Sequence, residues 1–260
     1  MRTSVALSVL AALSLTACTG AGSSSPAPDV STPVDEASPS VSPEAVAAAP
    51  ADGSEPLRLV TLGDAYTAGT DTPAPKVDSW PAQLSQAMDR GDVRLRLVAN
   101  LADSGQTSED VIRAQLRQLE SWRPDVVTLQ VGVNDIIARD ISLADYRQNM
   151  AAILDELLSI LPAARLFVIT TPDHTLTARG GDYTSREAGS AAVLEANGIL
   201  TDEAGERGIT VIDISRVNGL AEGDASLVIG EGPYPSAKQY AGWVEVIGPQ
   251  IGRALSGLEP

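Results

Sequence analysis

The chain has one cysteine, one histidine, one phenylalanine and two lysines in 260 residues, and each scarcity closes off a class of function. With so little Cys and His there is no ligand cluster of the kind that holds zinc or iron. No Walker loop and no Gly-x-Gly-x-x-Gly fingerprint is present, so neither a metal nor a nucleotide cofactor is implied. Only 3 Trp, 5 Tyr and 1 Phe are available, too few for recognition by base stacking or an aromatic cage. Positive charge is short as well: 18 basic against 34 acidic residues give a net charge of -16. Nucleic acid binding is driven by neutralising phosphates, so this balance argues against it, and it disfavours an anionic lipid surface for the same reason. What is plentiful is apolar: 43% hydrophobic and 20% charged residues over this length suit one sizeable core.

The first residues read as a targeting signal. Arg2 supplies a positive start, and Val5 to Leu15 form an apolar run too short to span a membrane as a mature helix. The run ends in Leu15-Thr16-Ala17-Cys18, which resembles a bacterial lipobox. That resemblance implies cleavage before Cys18, attachment of its thiol to diacylglycerol and acylation of the new amine; an ordinary secretory signal with an incidental cysteine is the alternative. Residues 19–56 hold 7 Pro, 8 Ser and 8 Ala in 38 positions, with six acids, no Lys or Arg and no aromatic residue, a composition that cannot bury enough to fold. As a tether it would reach on the order of 120 Å if fully extended and roughly 35 Å as a coil. The expected organisation is therefore a signal peptide over 1–17, a lipidated Cys18 and tether over 18–56, and a domain over 57–260, exported and anchored to the outer face of the cytoplasmic membrane. The domain keeps 28 acidic and 17 basic residues, or -11.

From Leu57 onward, short apolar runs alternate with helical patterns. Strands are expected at 57–62, 93–99, 125–131, 164–170 and 208–214, each rich in Val, Ile or Leu. Helical spacing recurs in Ile112, Leu116 and Leu119, in Met150, Ile153, Leu154, Leu157, Leu158 and Leu161, and in Tyr240, Val244, Ile251 and Leu255, where Pro249 is expected to bend the last helix. Parallel neighbours need crossover connections, so the alternation predicts an α/β fold: a doubly wound, parallel five-stranded sheet between two helical layers, with the site beyond the carboxyl ends of the strands.

Four segments stand at those ends: Gly63-Asp64-Ala65-Tyr66-Thr67-Ala68-Gly69, Asn100 to Thr107, Gly132-Val133-Asn134-Asp135, and Glu231-Gly232-Pro233-Tyr234-Pro235-Ser236. In this order and spacing they resemble the four blocks of the SGNH (GDSL-type) hydrolases, a family of esterases, lipases and related acyl hydrolases with a flavodoxin-like fold. The resemblance covers nearly all of 57–257. It implies a nucleophilic serine in the first block and an Asp-x-x-His in the last. The matching positions here are Ala65, Glu231 and Tyr234, so all three members of the triad are replaced. Ala65 has no attacking atom, and a phenol with an ordinary pKa of about 10 is a poor base at neutral pH. The resemblance also implies an oxyanion hole made by the backbone N–H of Ala65 and Gly105 and the side chain of Asn134, all retained; a turn glycine and a loop-capping asparagine are the structural alternatives.

His174, the sole histidine, follows strand four and is read as a solvated loop residue at the rim of the site, with a rescuing base as the sharper alternative. Asp64 and Asp135 are read as loop braces, and Ser104 and Thr67 as turn residues. Two functions stay open. One is a pseudoenzyme that binds an acyl or acetylated-glycan ligand, or an envelope protein of unknown identity. The other is an active esterase with a non-standard nucleophile or base.

Overall fold

The computed structural model describes residues 55–258 apart from 139, 140, 178 and 183. Residues 1–54, which carry the expected signal peptide, the expected lipidation site at Cys18 and almost the whole expected tether, lie outside the described residues. Five strands, β1 (Leu57–Gly63), β2 (Leu95–Asn100), β3 (Val126–Gln130), β4 (Leu166–Ile169) and β5 (Thr210–Ile212), pair in parallel in the order β2-β1-β3-β4-β5. Side chains alternate across each strand. Leu59, Val126, Phe167 and Ile212 face one helical layer, and Val60, Leu62, Val127, Leu129 and Val168 face the other.

The helices between them are α1 (Ala65–Ala68), α2 (Pro75–Asp78), α3 (Trp80–Ala87), α4 (Ser108–Asp110), α5 (Leu116–Leu119), α6 (Val133–Ala138), α7 (Leu143–Ile160), α8 (Arg186–Glu206), α9 (Ser215–Asn218) and α10 (Ala237–Ser256). Trp80 and Leu84 of α3 and Tyr240, Trp243, Ile247 and Ile251 of α10 cover the first face. Met150, Ile153 and Leu154 of α7 and Ala196, Ile199 and Leu200 of α8 cover the second. The expected three-layer, doubly wound α/β sheet is therefore the observed one.

Boundaries shift where local chemistry overrides the apolar pattern. The expected start of β4 is a 3-10 turn over Ala163–Arg165. β5 shrinks to three residues: Gly208 precedes it with φ +67°, and beyond it Asp213 turns back to accept the N–H of Ser215 at 2.8 Å. α10 runs without a break through Pro249. The order of the strands reverses direction between β1 and β3, which places the topological switch point at the carboxyl ends of those two strands.

Candidate functional site

At that switch point β1 ends on Gly63, whose φ is +151°. A Cβ here would lie 2.2 Å from the carbonyl oxygen of Gln130 on β3, so only glycine permits the approach. Gln115 grips the same residue from both sides, accepting the Gly63 N–H at 2.8 Å and donating to its carbonyl at 2.7 Å. Gln115 is delivered by a π-helical stretch, Val111–Gln115, between α4 and α5, and its amide also donates to Gln106 of the second block.

Asp64 then caps α1, accepting the Tyr66 N–H at 3.0 Å, and it also accepts from the backbone of Gly132 and Val133 in the third block. The carboxyl is 1% exposed. Burial pushes its pKa up to about 7, against those backbone donors, and the charge of Asp135 adds to the rise. Asp135 is buried too and accepts from the Ser108 hydroxyl at 2.5 Å and the Ser108 N–H at 3.0 Å. Its pKa is raised by burial, with Ser108 opposing. The Asn134 amide donates to the Gln106 carbonyl at 2.8 Å. Blocks one, two and three are thus joined by buried polar bonds. Asp64 and Asp135 are loop braces, as the sequence suggests, and Thr67 is buried, donating to Gln130 at 3.1 Å.

Ala65 opens α1 and is 4% exposed. Gly105 occupies an exposed turn with φ +79°, and Ser104 lies beside it, its N–H donating to the Asp103 carboxylate at 2.8 Å. The fourth block meets the first through aromatic rings. Tyr234 packs edge-on against Tyr66 with centroids 5.7 Å apart, and the Tyr66 hydroxyl donates to the Pro233 carbonyl at 3.4 Å. Tyr66 stacks in turn on Trp243, which meets Tyr240 edge-on at 5.2 Å. Burial and the nearby Asp64 hold the Tyr240 hydroxyl well above its ordinary pKa. Glu231 stays exposed at the tip of the loop.

His174 departs from the sequence reading. It is 1% exposed, in a short turn capped by Asp173, and its carbonyl packs so closely on Gly180 that a Cβ there would sit 2.1 Å away. Burial lowers its pKa more than the charge of Asp173 raises it, which favours the neutral imidazole. The expected solvated rim histidine is a buried one, with Gly180 packed on its carbonyl and the Thr177 hydroxyl donating to that carbonyl at 3.0 Å. A cavity of about 680 Å³ opens beyond β4 and β5, lined among others by Thr171, Asp173, Leu194, Asn197 and Asp213. It lies beside the four blocks rather than over Ala65. Among the described residues no three His, Cys, Asp or Glu side chains converge as a metal site.

The GDSL-like Lipase/Acylhydrolase family matches residues 61–241, a span that begins within β1 and ends within α10. The chain belongs to that family. Its fold is shared with a lipase/acylhydrolase from Enterococcus faecalis, at a TM-score of 0.61 and 22% identity over 76% of this chain and 96% of that one. It is also shared with an acetyl xylan esterase from Geobacillus stearothermophilus, at 0.60 and 15% over 75% and 94%. An alpha/beta hydrolase from the metagenome of Lake Arreo gives 0.59 and 17% over 78% and 97%. At these identities the likeness establishes the SGNH/GDSL hydrolase fold and nothing finer. No curated protein matches the chain significantly in sequence.

Within the family frame, the glutamines and the aromatic stack were not singled out from sequence. Gln130 accepts from Thr67 and from the Trp80 indole at 3.2 Å and donates to the Thr170 carbonyl at 3.2 Å, tying α1, α3 and the end of β4 together. Its signal was a polar residue inside the apolar run 125–131. Tyr66 gave none beyond its place next to Ala65.

Proposed function

We propose that this GDSL-family chain is a pseudoenzyme: an exported lipoprotein whose hydrolase frame binds an acyl or acetylated-glycan ligand, or an envelope partner, without turning it over. The observation that carries the reading is the contrast at one site. Ala65 stands where the family resemblance puts the nucleophile, on a backbone held by Gly63, Asp64 and Gln115. Acyl transfer needs an attacking atom, a base near neutral pH and an acid to orient it. At the matched positions Ala65 supplies no attacking atom, and Tyr234 offers a phenol engaged with Tyr66. Backbone donors alone can still polarise an acyl carbonyl, so weak residual turnover fits this account. The glycan class is taken from the acetyl xylan esterase that shares the fold. The lipid anchor rests on the Leu15-Thr16-Ala17-Cys18 pattern.

Two measurements test the reading. Ester hydrolysis by the purified protein should stay well under about 1 s⁻¹, the lower end of ordinary enzyme rates; a kcat at or above that value means an active esterase with another nucleophile. Changing Cys18→Ala should release or misprocess the protein, and a variant that remains in the membrane fraction with unchanged mobility removes the lipoprotein part.

A further inference from the structure

The amino ends of the strands carry a second feature. Elsewhere in the domain Arg113, Arg147, Arg179, Arg186, Arg207 and Lys238 sit in ion pairs with carboxylates, while Lys76, Arg90, Arg117, Arg216 and Arg253 have none among the described residues. Along the lower rim of the sheet four further cations without ion pairs stand in one row. In spatial order, Arg96 is the second residue of β2, Arg58 the second residue of β1, Arg123 closes the turn before β3, and Arg165 immediately precedes β4. With neighbouring strands about 4.8 Å apart, the row spans roughly 15 Å. The Arg58 guanidinium donates to the carbonyls of Trp122 at 2.8 Å and Arg123 at 3.0 Å, and Arg165 donates to the Asp125 carbonyl at 3.4 Å. Backbone dipoles hold these two in place while no carboxylate pairs with them among the described residues. Arg123, and Arg96 one residue into β2, are exposed and likewise without ion pairs among the described residues.

Trp122 sits in the middle of this row. It is 38% exposed, whereas Trp80 and Trp243 are at 0%. An exposed indole among unneutralised guanidinium groups suits the boundary between headgroups and acyl chains, where tryptophan is favoured and arginine meets anionic lipid. The chain also enters the domain here: Pro56 leads into β1, and the Leu57 N–H donates to the Arg94 carbonyl at 2.8 Å.

We propose that this rim is a docking surface for an anionic phospholipid bilayer, which would seat the domain with its four blocks facing away from the lipid. The net charge of -11 does not decide the matter at contact. β1 is seven residues long, so the acidic upper rim, with exposed Asp103, Asp182 and Glu231, stands about 23 Å above the arginines. The screening length at physiological salt is about 8 Å. Asp92, Glu120 and Asp125 lie near the row and limit its strength. The inference concerns the folded part and does not require acylation, so its test uses a chain that cannot be acylated.

The test is the full chain carrying Cys18→Ala, titrated with phosphatidylcholine vesicles with or without phosphatidylglycerol, all with brominated acyl chains. Residues 1–79 contain no tryptophan and the other two are buried, so quenching of indole fluorescence reports Trp122. Quenching should appear with the anionic vesicles only and weaken as salt is raised. Arg96→Gln, Arg123→Gln and Arg165→Gln together should weaken binding about 100-fold, the product of three charges each worth about 1 kcal/mol. Arg179→Gln with Arg186→Gln, at the other end, should change it less than about 2-fold. Equal quenching by neutral vesicles, an unaffected triple variant, or anionic-vesicle binding without quenching would each overturn the proposal. Tighter binding to soluble polyphosphate than to vesicles would do the same, assigning the row to a soluble anion.

Discussion

The first three blocks and the fourth are attached to the same rim by different means. Gly63, Asp64, Gln106, Asn134 and Asp135 form a buried polar lattice in which nearly every donor has a named acceptor. The fourth block leans on Tyr66 through Tyr234 and the Pro233 carbonyl, over a stack that continues to Trp243 and Tyr240. Buried polar lattices tolerate little, because a half-satisfied network costs more than an apolar one. Aromatic packing is more forgiving of a changed partner. On the proposed reading, the difference is how the positions that would move protons could be replaced without disturbing the polar lattice of the first three blocks.

Substitutions that strike the lattice should therefore cost most. Gly63→Ala forces a Cβ into the Gln130 carbonyl at a positive φ, and chemical denaturation should show a loss above about 4 kcal/mol or no folded protein at all. A loss under about 1 kcal/mol would mean that β1 and β3 separate readily.

Asp64 comes next, through pH. The unfolded carboxyl titrates near 3.8 and the folded one near 7, so between those values the folded state keeps a proton that the unfolded state has released. Its contribution to stability is thus greatest at low pH and is lost as pH rises toward 7, by on the order of 3 kcal/mol between pH 5 and pH 8. Asp135, also raised, acts in the same direction. His174, lowered by burial, has the opposite slope around 6.5, stabilising the fold above that pH. Comparing wild type with Asp64→Asn isolates the Asp64 contribution: the stability advantage of wild type should shrink across that range. A pH-independent difference would contradict a buried, protonatable Asp64.

Smaller effects belong to the exposed parts. Gly105→Ala meets open space and suffers only its φ of +79°, about 1–2 kcal/mol. Glu231→Gln, at an exposed loop tip, should leave the unfolding free energy within about 0.5 kcal/mol. A larger loss at Glu231 would mean that the fourth block is part of the lattice after all.

The sheet was legible because its strands are runs of Val, Ile and Leu bounded by turn residues, and the blocks announced themselves at the strand ends. α8 gave a weaker signal, since its buried face mixes the apolar Val193, Ile199 and Leu200 with Gly189, Ala196, Ala204 and the polar Asn197 and Glu203. Burial of His174 was not legible, because a polar residue after a strand in a Thr-Pro-Asp-His run carries no apolar pattern that marks it as covered. Gln115 was hidden for another reason: it is a polar residue on the face marked by Ile112, Leu116 and Leu119, and its two bonds to Gly63 span 52 residues of sequence.

Restoring the three side chains tests most directly the proposal that the chemistry has been removed from a hydrolase frame. Wild type should form no covalent adduct with a fluorophosphonate, whereas Ala65→Ser, Glu231→Asp and Tyr234→His together should both label and hydrolyse a short-chain ester. Single reversions should do little, because triad members act as a unit. A stoichiometric adduct on wild type, or a triple variant of wild-type stability with hydrolysis no higher than background, would contradict it.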